Sequence, residues 1–197
     1  LERAFFHDIQ NIIHALCSAS AMVASEPIGL SPDMARIVSE LSDRLAKEVQ
    51  IQRVLTSKRR DSYPVQSRST TLKTIVSSLD HLFSTHPATL GKHLEIARFD
   101  ETLALTTDRS LCLRILTNML TNALEATESG GTVRFEIIPD DESIVFAVCN
   151  PTEIPKEIRE RIFERHFTTK TGVGRGTGTF AMKLFGETFL GGQVDFT

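Results

Sequence analysis

Apolar residues recur at helical spacing through residues 1–57 and predict two helices there. In FFHDIQNIIHAL, residues 5–16, the apolar side chains share one stripe at about 100° per residue, and His7 falls on the opposite, polar face. Pro27 and Gly29 interrupt the pattern, and Ser31 suits the cap of the second helix. One apolar face per helix gives an isolated hairpin too little core, so we predict a homodimer whose two α hairpins form a four-helix bundle.

The pattern changes after residues 58–70, which are polar, contain Pro64 and predict a linker. Helices are expected over residues 71–85, 108–127, 155–164 and 179–190. Strands are expected over residues 94–99, 102–107, 132–138 and 143–149, and GGQVDF at residues 191–196 is expected to start a last strand. Asp108 is the expected N-cap of the helix that follows it. Helices and antiparallel strands segregated in this way predict an α+β sandwich over residues 71–197.

Composition and charge exclude several classes of function. Of the 197 residues, 41% are hydrophobic and 24% charged, as is typical of a soluble globular protein, and the net charge of -3 provides no basic surface for nucleic acid. Cys17, Cys112 and Cys149 are too far apart to indicate a zinc site or a disulfide framework, which favours a reducing, cytoplasmic compartment. No apolar run approaches the roughly 18 residues that suggest a membrane span.

The sequence begins at Leu1, already within helical pattern, and ends at Thr197 within a strand-like stretch. We therefore expect a fragment of a longer protein. An upstream sensor domain, and any membrane anchor of the full-length protein, would precede Leu1.

Two asparagines share one face of the helix predicted over residues 108–127. Asn118 and Asn122, in ILTNMLTNALEAT, are four residues apart, and carboxamides on a leucine-rich helix cost stability unless they are hydrogen-bonded. They are either a pair of surface amides or oxygen donors for a hydrated Mg²⁺ that carries nucleotide phosphates.

A glycine-rich loop, TTKTGVGRGTG at residues 168–178, precedes the helix predicted over residues 179–190. Its glycines let the backbone approach a ligand, and the following helix offers free N–H groups to phosphate. Lys170 and Arg175 add positive charge. The loop has neither the Gly-Lys-Ser/Thr ending of a Walker P-loop nor the preceding strand of a dinucleotide fingerprint, so by itself it is a weak indication of a phosphate site.

The order of these motifs resembles that of the sensor histidine kinases of two-component signalling over about 190 residues, nearly the whole chain. FFHDIQN is similar to the H-box of that family, residues 118–123 to its N-box, residues 163–170 to its F-box and residues 174–178 to its second glycine box. The resemblance implies a dimerisation and histidine-phosphotransfer hairpin over residues 1–57, followed by a catalytic ATP-binding domain of the gyrase-like superfamily over residues 71–197.

In this family, His7 would be the phosphoacceptor and Asp8 would hold the proton of the other ring nitrogen. Asn11 matches the position that helps to orient a water for dephosphorylation of the partner response regulator. Asn118 stands where the superfamily's hydrolases carry a glutamate, and an amide cannot act as a general base, which favours transfer over hydrolysis. The substrate would be ATP with Mg²⁺, Asn122 being the metal ligand. The other residues implied in nucleotide binding are Asn118, Lys170, Gly174, Arg175, Gly176, Thr177 and Gly178.

The first glycine box departs from the family pattern. Where histidine kinases usually read D-x-G-x-G-I-P, this chain reads CNPTEIP, and Cys149 takes the place of the aspartate that binds the adenine amino group. A thiol is a poor acceptor in that role. Asn150, the next residue, could supply an amide oxygen if the strand end is bulged.

Two other functions fit parts of the sequence. A histidine phosphotransferase or pseudokinase that does not use ATP would keep the hairpin and His7, and the altered first glycine box favours it. A serine kinase of the anti-sigma type would share the ATP-binding domain but would have no need of the FHDIQN hairpin. Acid stability of the phosphorylated residue separates the serine kinase from the histidine kinase and from the phosphotransferase, because phosphohistidine is acid-labile and phosphoserine is not.

Overall fold

The computed structural model describes residues 63–165, 167 and 178–196, together with the single positions 38, 42 and 49. The predicted hairpin therefore lies almost wholly outside the described residues, although Val38, Ser42 and Val49 are helical. The chain divides into two compact units, residues 1–64 with 170–175 and residues 65–169 with 176–197. The second unit contains every strand and helix that can be given bounds.

Eleven elements can be given bounds in the second unit. The strands are β1 (Arg68–Thr71), β2 (His93–Ile96), β3 (Ala104–Thr107), β4 (Thr132–Asp140) and β5 (Ser143–Cys149). The α-helices are α1 (Leu72–Phe83), α2 (Arg109–Ala126), α3 (Lys156–Arg159) and α4 (Gly178–Lys183). A 3₁₀-helix covers Pro87–Thr89, and a π-helix covers Leu184–Phe189 directly after α4.

The strands form two sheets. β1 pairs with β3 in an antiparallel sheet of two strands, whereas the second sheet has the order β2-β4-β5, parallel between β2 and β4 and antiparallel between β4 and β5. Along β4 the buried residues Val133, Phe135 and Ile137 alternate with exposed or half-buried ones, so one face of this sheet supplies the core. Phe135 stacks on Phe146 of β5 at 6.2 Å between ring centroids.

Helices α1 and α2 provide the other half of the core. The buried residues of α1 recur at intervals of three and four, as an amphipathic helix requires: Leu72, Ile75, Val76, Leu79 and Phe83. They join Cys112, Leu116, Leu120 and Leu124 of α2 and the inner face of β4 in one cluster. This arrangement confirms the α+β class predicted for residues 71–197, over the part of that range that the structure describes.

Helix α2 is fixed at both ends. At its start the side chain of Asp108 accepts hydrogen bonds from the backbone N–H groups of Ser110 and Leu111, which confirms the predicted N-cap. At its end the ammonium group of Lys92 donates to the carbonyl oxygen of Leu124 at 2.5 Å. The helix is therefore a firm support for the side chains along it.

Three elements differ from the sequence prediction. β1 lies partly in the segment predicted as a linker. Within the described part of the chain its four residues, RSTT, pair only with β3, and they bear no buried side chain. The helix predicted over residues 179–190 is α-helical only to Lys183 and continues as the π-helix. The helix predicted over residues 155–164 is a single turn, Lys156–Arg159.

The strand predicted over residues 191–196 is not formed. The backbone N–H of Gly192 donates to the carbonyl oxygen of Gly186, and that of Val194 donates to Oε1 of Glu187. Phe196 contacts Phe163 with 5.8 Å between ring centroids. These bonds hold the segment against the helix before it and not against a strand. Across the described part of the chain, no helix is both long and apolar enough to cross a membrane.

Candidate functional site

The two asparagines that the sequence singled out lie along α2, on one side of its buried stripe. Asn118 and Asn122 are half-buried, whereas Leu116, Leu120 and Leu124 of the same helix are almost fully buried. Residues four apart in an α-helix stand one above the other, so the two carboxamides form a short polar ladder beside the core. This ladder is the first part of the candidate site.

The residue that ends the glycine-rich loop lies beside this ladder. Gly178 is the first residue of α4, and a β-carbon at that position would be 3.9 Å from Oδ1 of Asn118 and 4.0 Å from its Cγ. The structure thus brings together two motifs that are 60 residues apart in the sequence, Asn118 and Gly178. These are ordinary van der Waals distances, so the start of α4 lies next to the Asn118 side chain.

Several predicted site residues lie outside the described part of the chain. They are His7, Asp8, Asn11, Lys170, Gly174, Arg175, Gly176 and Thr177. Their roles remain predictions.

The loop after β5 is held against α2. The Thr152 hydroxyl donates to the carbonyl oxygen of Ala126 at 2.8 Å, at the C-terminal end of the asparagine helix. Further along, Nε of Arg159 donates to the carbonyl oxygen of Ile154 at 2.9 Å. The segment NPTEIP is therefore fixed by side-chain hydrogen bonds in the place of the glycines of the family pattern.

The two residues considered for base recognition differ in exposure. Cys149, the last residue of β5, is exposed and lies opposite Arg134 of β4, whereas Asn150 is half-buried. Arg134 in turn forms an ion pair with Glu136 at 2.8 Å. The thiol of Cys149 is thus next to a charged pair on the exposed surface of the sheet.

Aromatic and cationic side chains support the chain just before the glycine-rich loop. The ammonium group of Lys183 lies 4.6 Å from the ring centroid of Phe163, and the guanidinium group of Arg161 lies 4.4 Å from that of Phe167. Lys183 is on α4, after the loop, so the segments on the two sides of the loop contact each other. Sequence reasoning missed Lys183, because nothing in its local pattern indicates a partner 20 residues away.

The donors in this region suit a magnesium ion that brings most of its own ligands. Among the residues whose positions are described, no group of three or more His, Cys, Asp or Glu side chains could form a protein cage for a metal. The hard donors at the site are the amide oxygens of Asn118 and Asn122, and Mg²⁺ commonly combines one or two protein oxygens with phosphates and water.

Cys112, also on α2, is buried, and this burial raises the pKa of its thiol to about 12.

Comparison with known proteins supports the same reading of the second unit. Residues 107–197 match the family described as histidine kinase-, DNA gyrase B-, and HSP90-like ATPase. Sporulation kinase A of Bacillus subtilis is 28% identical over 115 residues, which are 58% of this chain and 18% of that protein. The chain thus spans less than a fifth of the length of that relative.

Solved structures agree with the fold. The nucleotide-free catalytic domain of histidine kinase ThkA superposes with a TM-score of 0.55 at 26% identity, covering 62% of this chain and 81% of that domain. Histidine kinase ThkA in complex with the response regulator protein TrrA gives a TM-score of 0.51 at 23% identity, covering 85% of this chain and 50% of the other, a likeness of fold. These comparisons support a sensor histidine kinase catalytic domain in the second unit, and residues 107–197 match the histidine kinase-, DNA gyrase B-, and HSP90-like ATPase family.

Proposed function

We propose that this chain phosphorylates itself on His7 from Mg-ATP and passes the phosphoryl group to an aspartate of a response regulator. The observation that carries the proposal is the position of Asn118 beside Gly178. This proximity supports the proposal, because one region would offer amide oxygens to a metal and backbone N–H groups to phosphates.

In the proposed reaction a ring nitrogen of His7 attacks the γ-phosphorus of ATP. A nitrogen–phosphorus bond forms, the bond to the bridging β-γ oxygen breaks, and ADP leaves with that oxygen. Asp8 holds the proton of the other ring nitrogen and so favours the nucleophilic tautomer. Asn118 is an amide and cannot accept a proton from water, which favours transfer to histidine over hydrolysis.

The residues of α2 fit the metal that accompanies the nucleotide. Asn122 would offer its amide oxygen to Mg²⁺, and Asn118 would stand one turn earlier on the same face. When bound, Mg²⁺ neutralises charge on the phosphates. Lys170 and Arg175, with the backbone of Gly174, Gly176, Thr177 and Gly178, would hold the phosphate oxygens.

The proposed partners follow from the helical hairpin. Residues 1–57 would dimerise as a four-helix bundle that presents His7 to the receiver domain of a response regulator. A response regulator is a reasonable partner, since histidine kinase ThkA has been crystallised in complex with the response regulator protein TrrA. Asn11, one helical turn after His7, would orient a water for removal of the phosphoryl group from the regulator.

The test is incubation of the chain with Mg-ATP labelled at the γ-phosphate, beside a His7→Gln variant. We expect label on the wild-type chain that is lost in acid and kept in alkali, because phosphohistidine is acid-labile, and no label on His7→Gln. The variant should bind ATP like the wild type. Retained labelling of His7→Gln would refute the assignment of His7, and acid-stable label would indicate a serine kinase.

A relay module that does not use ATP is the second candidate. The exposed position of Cys149 favours it, because no carboxylate stands at that point of the first glycine box to bind adenine. Titration with Mg-ATP separates the two functions. Absence of binding up to millimolar nucleotide, with the protein folded, would favour phosphotransfer from another phosphoprotein.

A further inference from the structure

We propose that Asn150, and not Cys149, faces the purine base, and that its amide lets this kinase accept GTP as well as ATP. The inference rests on the proposed function, since it concerns the base end of the same nucleotide site. It needs no bulge at the end of β5, because the alternation of that strand, continued by one residue beyond Cys149, puts Asn150 on the inner side.

The register between β4 and β5 separates the two faces of the sheet. Phe135 pairs with Val148 and Ile137 with Phe146, and all four belong to or pack against the hydrophobic core under α1 and α2. The pair Arg134 with Cys149 is adjacent to Phe135 with Val148 in the ladder, so it lies on the opposite, outer face.

The outer face is solvated. Arg134 is exposed there and forms its ion pair with the half-buried Glu136, and a further outer pair along the ladder, Ile138 with Val145, is also exposed. A thiol on this face is separated by the sheet from the side on which Asn118 and Asn122 lie. Cys149 cannot read a base held beside α2 without a change of register, which would turn every core residue of β5 outward.

Asn150 continues the inner series. It follows Ile144, Phe146 and Val148 at the same two-residue interval, and it is half-buried although it lies beyond the last ladder pair. Two residues later the Thr152 hydroxyl binds the carbonyl oxygen of Ala126 on α2, so the chain leaves Asn150 towards the asparagine helix. The side chain at position 150 is thus placed on the face where the nucleotide would bind.

An amide at this position recognises purines differently from a carboxylate. With adenine, the amide oxygen of asparagine can accept from the amino group of the base while the amide NH₂ donates to N1. With guanine, the amide turned over can donate from its NH₂ to O6 while its oxygen accepts from N1–H. A carboxylate can only accept, so in the same pose it would repel O6 of guanine. An asparagine at this position therefore removes the repulsion by which a carboxylate discriminates against guanine.

The experiment measures dissociation constants of Mg-ATP and Mg-GTP by calorimetry for the full chain and two variants. For the wild type we expect the two constants to differ by less than about tenfold. Asn150→Asp should widen the ratio in favour of ATP to more than about tenfold, chiefly by weakening GTP. Cys149→Asp introduces the same carboxylate on the outer face and should keep the wild-type ratio.

Each outcome bears on a different statement. If Cys149→Asp sharpens the preference for ATP and Asn150→Asp does not, Cys149 reads the base and the inference is wrong. A wild-type preference for ATP above about tenfold would contradict purine tolerance while leaving the kinase function intact. Binding of neither nucleotide by the folded wild type would refute the ATP-dependent function itself. If Asn150→Asp does not fold, Asn150→Ala should weaken both nucleotides by similar factors, and unchanged affinities would overturn the assignment.

Discussion

The carboxylate of Asp108 binds the backbone N–H of Gln66, with 2.9 Å between Oδ2 and the nitrogen, across 42 residues of sequence. Its other oxygen accepts from the N–H of Ser110 at 3.0 Å, so one side chain caps α2 and fixes the chain that leads into β1. Asp108 is 1% exposed. A buried carboxylate with charge-assisted bonds on both oxygens joins the entry of the domain to its central helix.

Loss of this carboxylate should lower the stability of the catalytic domain. We expect Asp108→Ala to reduce the free energy of unfolding by about 2–4 kcal/mol, since it removes a helix cap and leaves buried N–H groups unpaired. Asp100→Ala is the matched control: Oδ1 of Asp100 accepts from the N–H and hydroxyl of Thr102, but in an exposed turn. Urea denaturation followed by circular dichroism measures both variants, and equal losses would contradict the special role of Asp108.

Gly186 should not tolerate even a methyl group. It lies within the π-helix, where a β-carbon would overlap the Cγ2 methyl of Val194. Alanine normally stabilises a helix relative to glycine, but here we expect Gly186→Ala to cost about 1–3 kcal/mol because of overpacking.

The companion variants isolate that contact. A β-carbon at Gly192 would meet the carbonyl oxygen of Gly186 at an ordinary 3.5 Å, so Gly192→Ala should change the melting temperature little. Combining Gly186→Ala with Val194→Ala should recover part of the loss. Additive effects in this double-mutant cycle would show that the two residues do not touch.

Asn122 should contribute to nucleotide affinity only when magnesium is present. We expect Asn122→Ala to weaken Mg-ATP by about tenfold, the order expected for one lost metal ligand or hydrogen bond, and to change the affinity for ATP in EDTA much less. Asp141→Ala, at an exposed position of the β4–β5 turn, is the control. Calorimetric titration with and without Mg²⁺ measures the difference, and an equal loss in both conditions would separate Asn122 from the metal.

The two cysteines of the catalytic domain should react very differently. Burial raises the pKa of the Cys112 thiol to about 12, with a smaller contribution from the nearby charge of Asp108, whereas Cys149 is exposed. In a Cys17→Ser background at pH 8, a thiol reagent should modify one cysteine of the native chain quickly and the second only on unfolding. Peptide mapping that finds rapid modification of Cys112 would contradict its burial.

The same burial predicts a loss of stability in alkali. The folded state raises the pKa of Cys112 above the ordinary value of 9.0, so the unfolded chain releases the thiol proton first as pH rises. The contribution of the neutral thiol is fully present below about pH 9 and decreases between about pH 9 and 12. Cys112→Ala should flatten this part of the stability profile, as measured by urea denaturation across that range.

The features predictable from the sequence are those with local causes. The cap at Asp108 follows from short-range hydrogen bonding, and the shared face of Asn118 and Asn122 follows from helical spacing. The strand β5 was predicted with its observed bounds because its apolar residues alternate. These signals lie within single elements and need no knowledge of what packs against them.

The features that sequence reasoning missed depend on contacts distant along the chain. The polar strand β1 exists only through its pairing with β3, and RSTT carries no alternation that could reveal it. Residues 191–196 alternate like a strand, yet the packing of Val194 over Gly186 and the bond from Gly192 hold them against the π-helix. Asn150 could be separated from Cys149 only once the register of β5 on β4 was known.

The hydrogen bond between Thr152 and Ala126 connects the loop after β5 to the end of α2. Asn150 lies two residues before Thr152, and the carboxamides of Asn118 and Asn122 lie earlier on α2. A nucleotide that binds both groups would therefore have its base and its phosphates held by parts of the fold that are directly bonded to each other. The fit of the base would then set how far the terminal phosphate extends towards its acceptor. Purine identity would be expressed in the rate of phosphoryl transfer as well as in affinity.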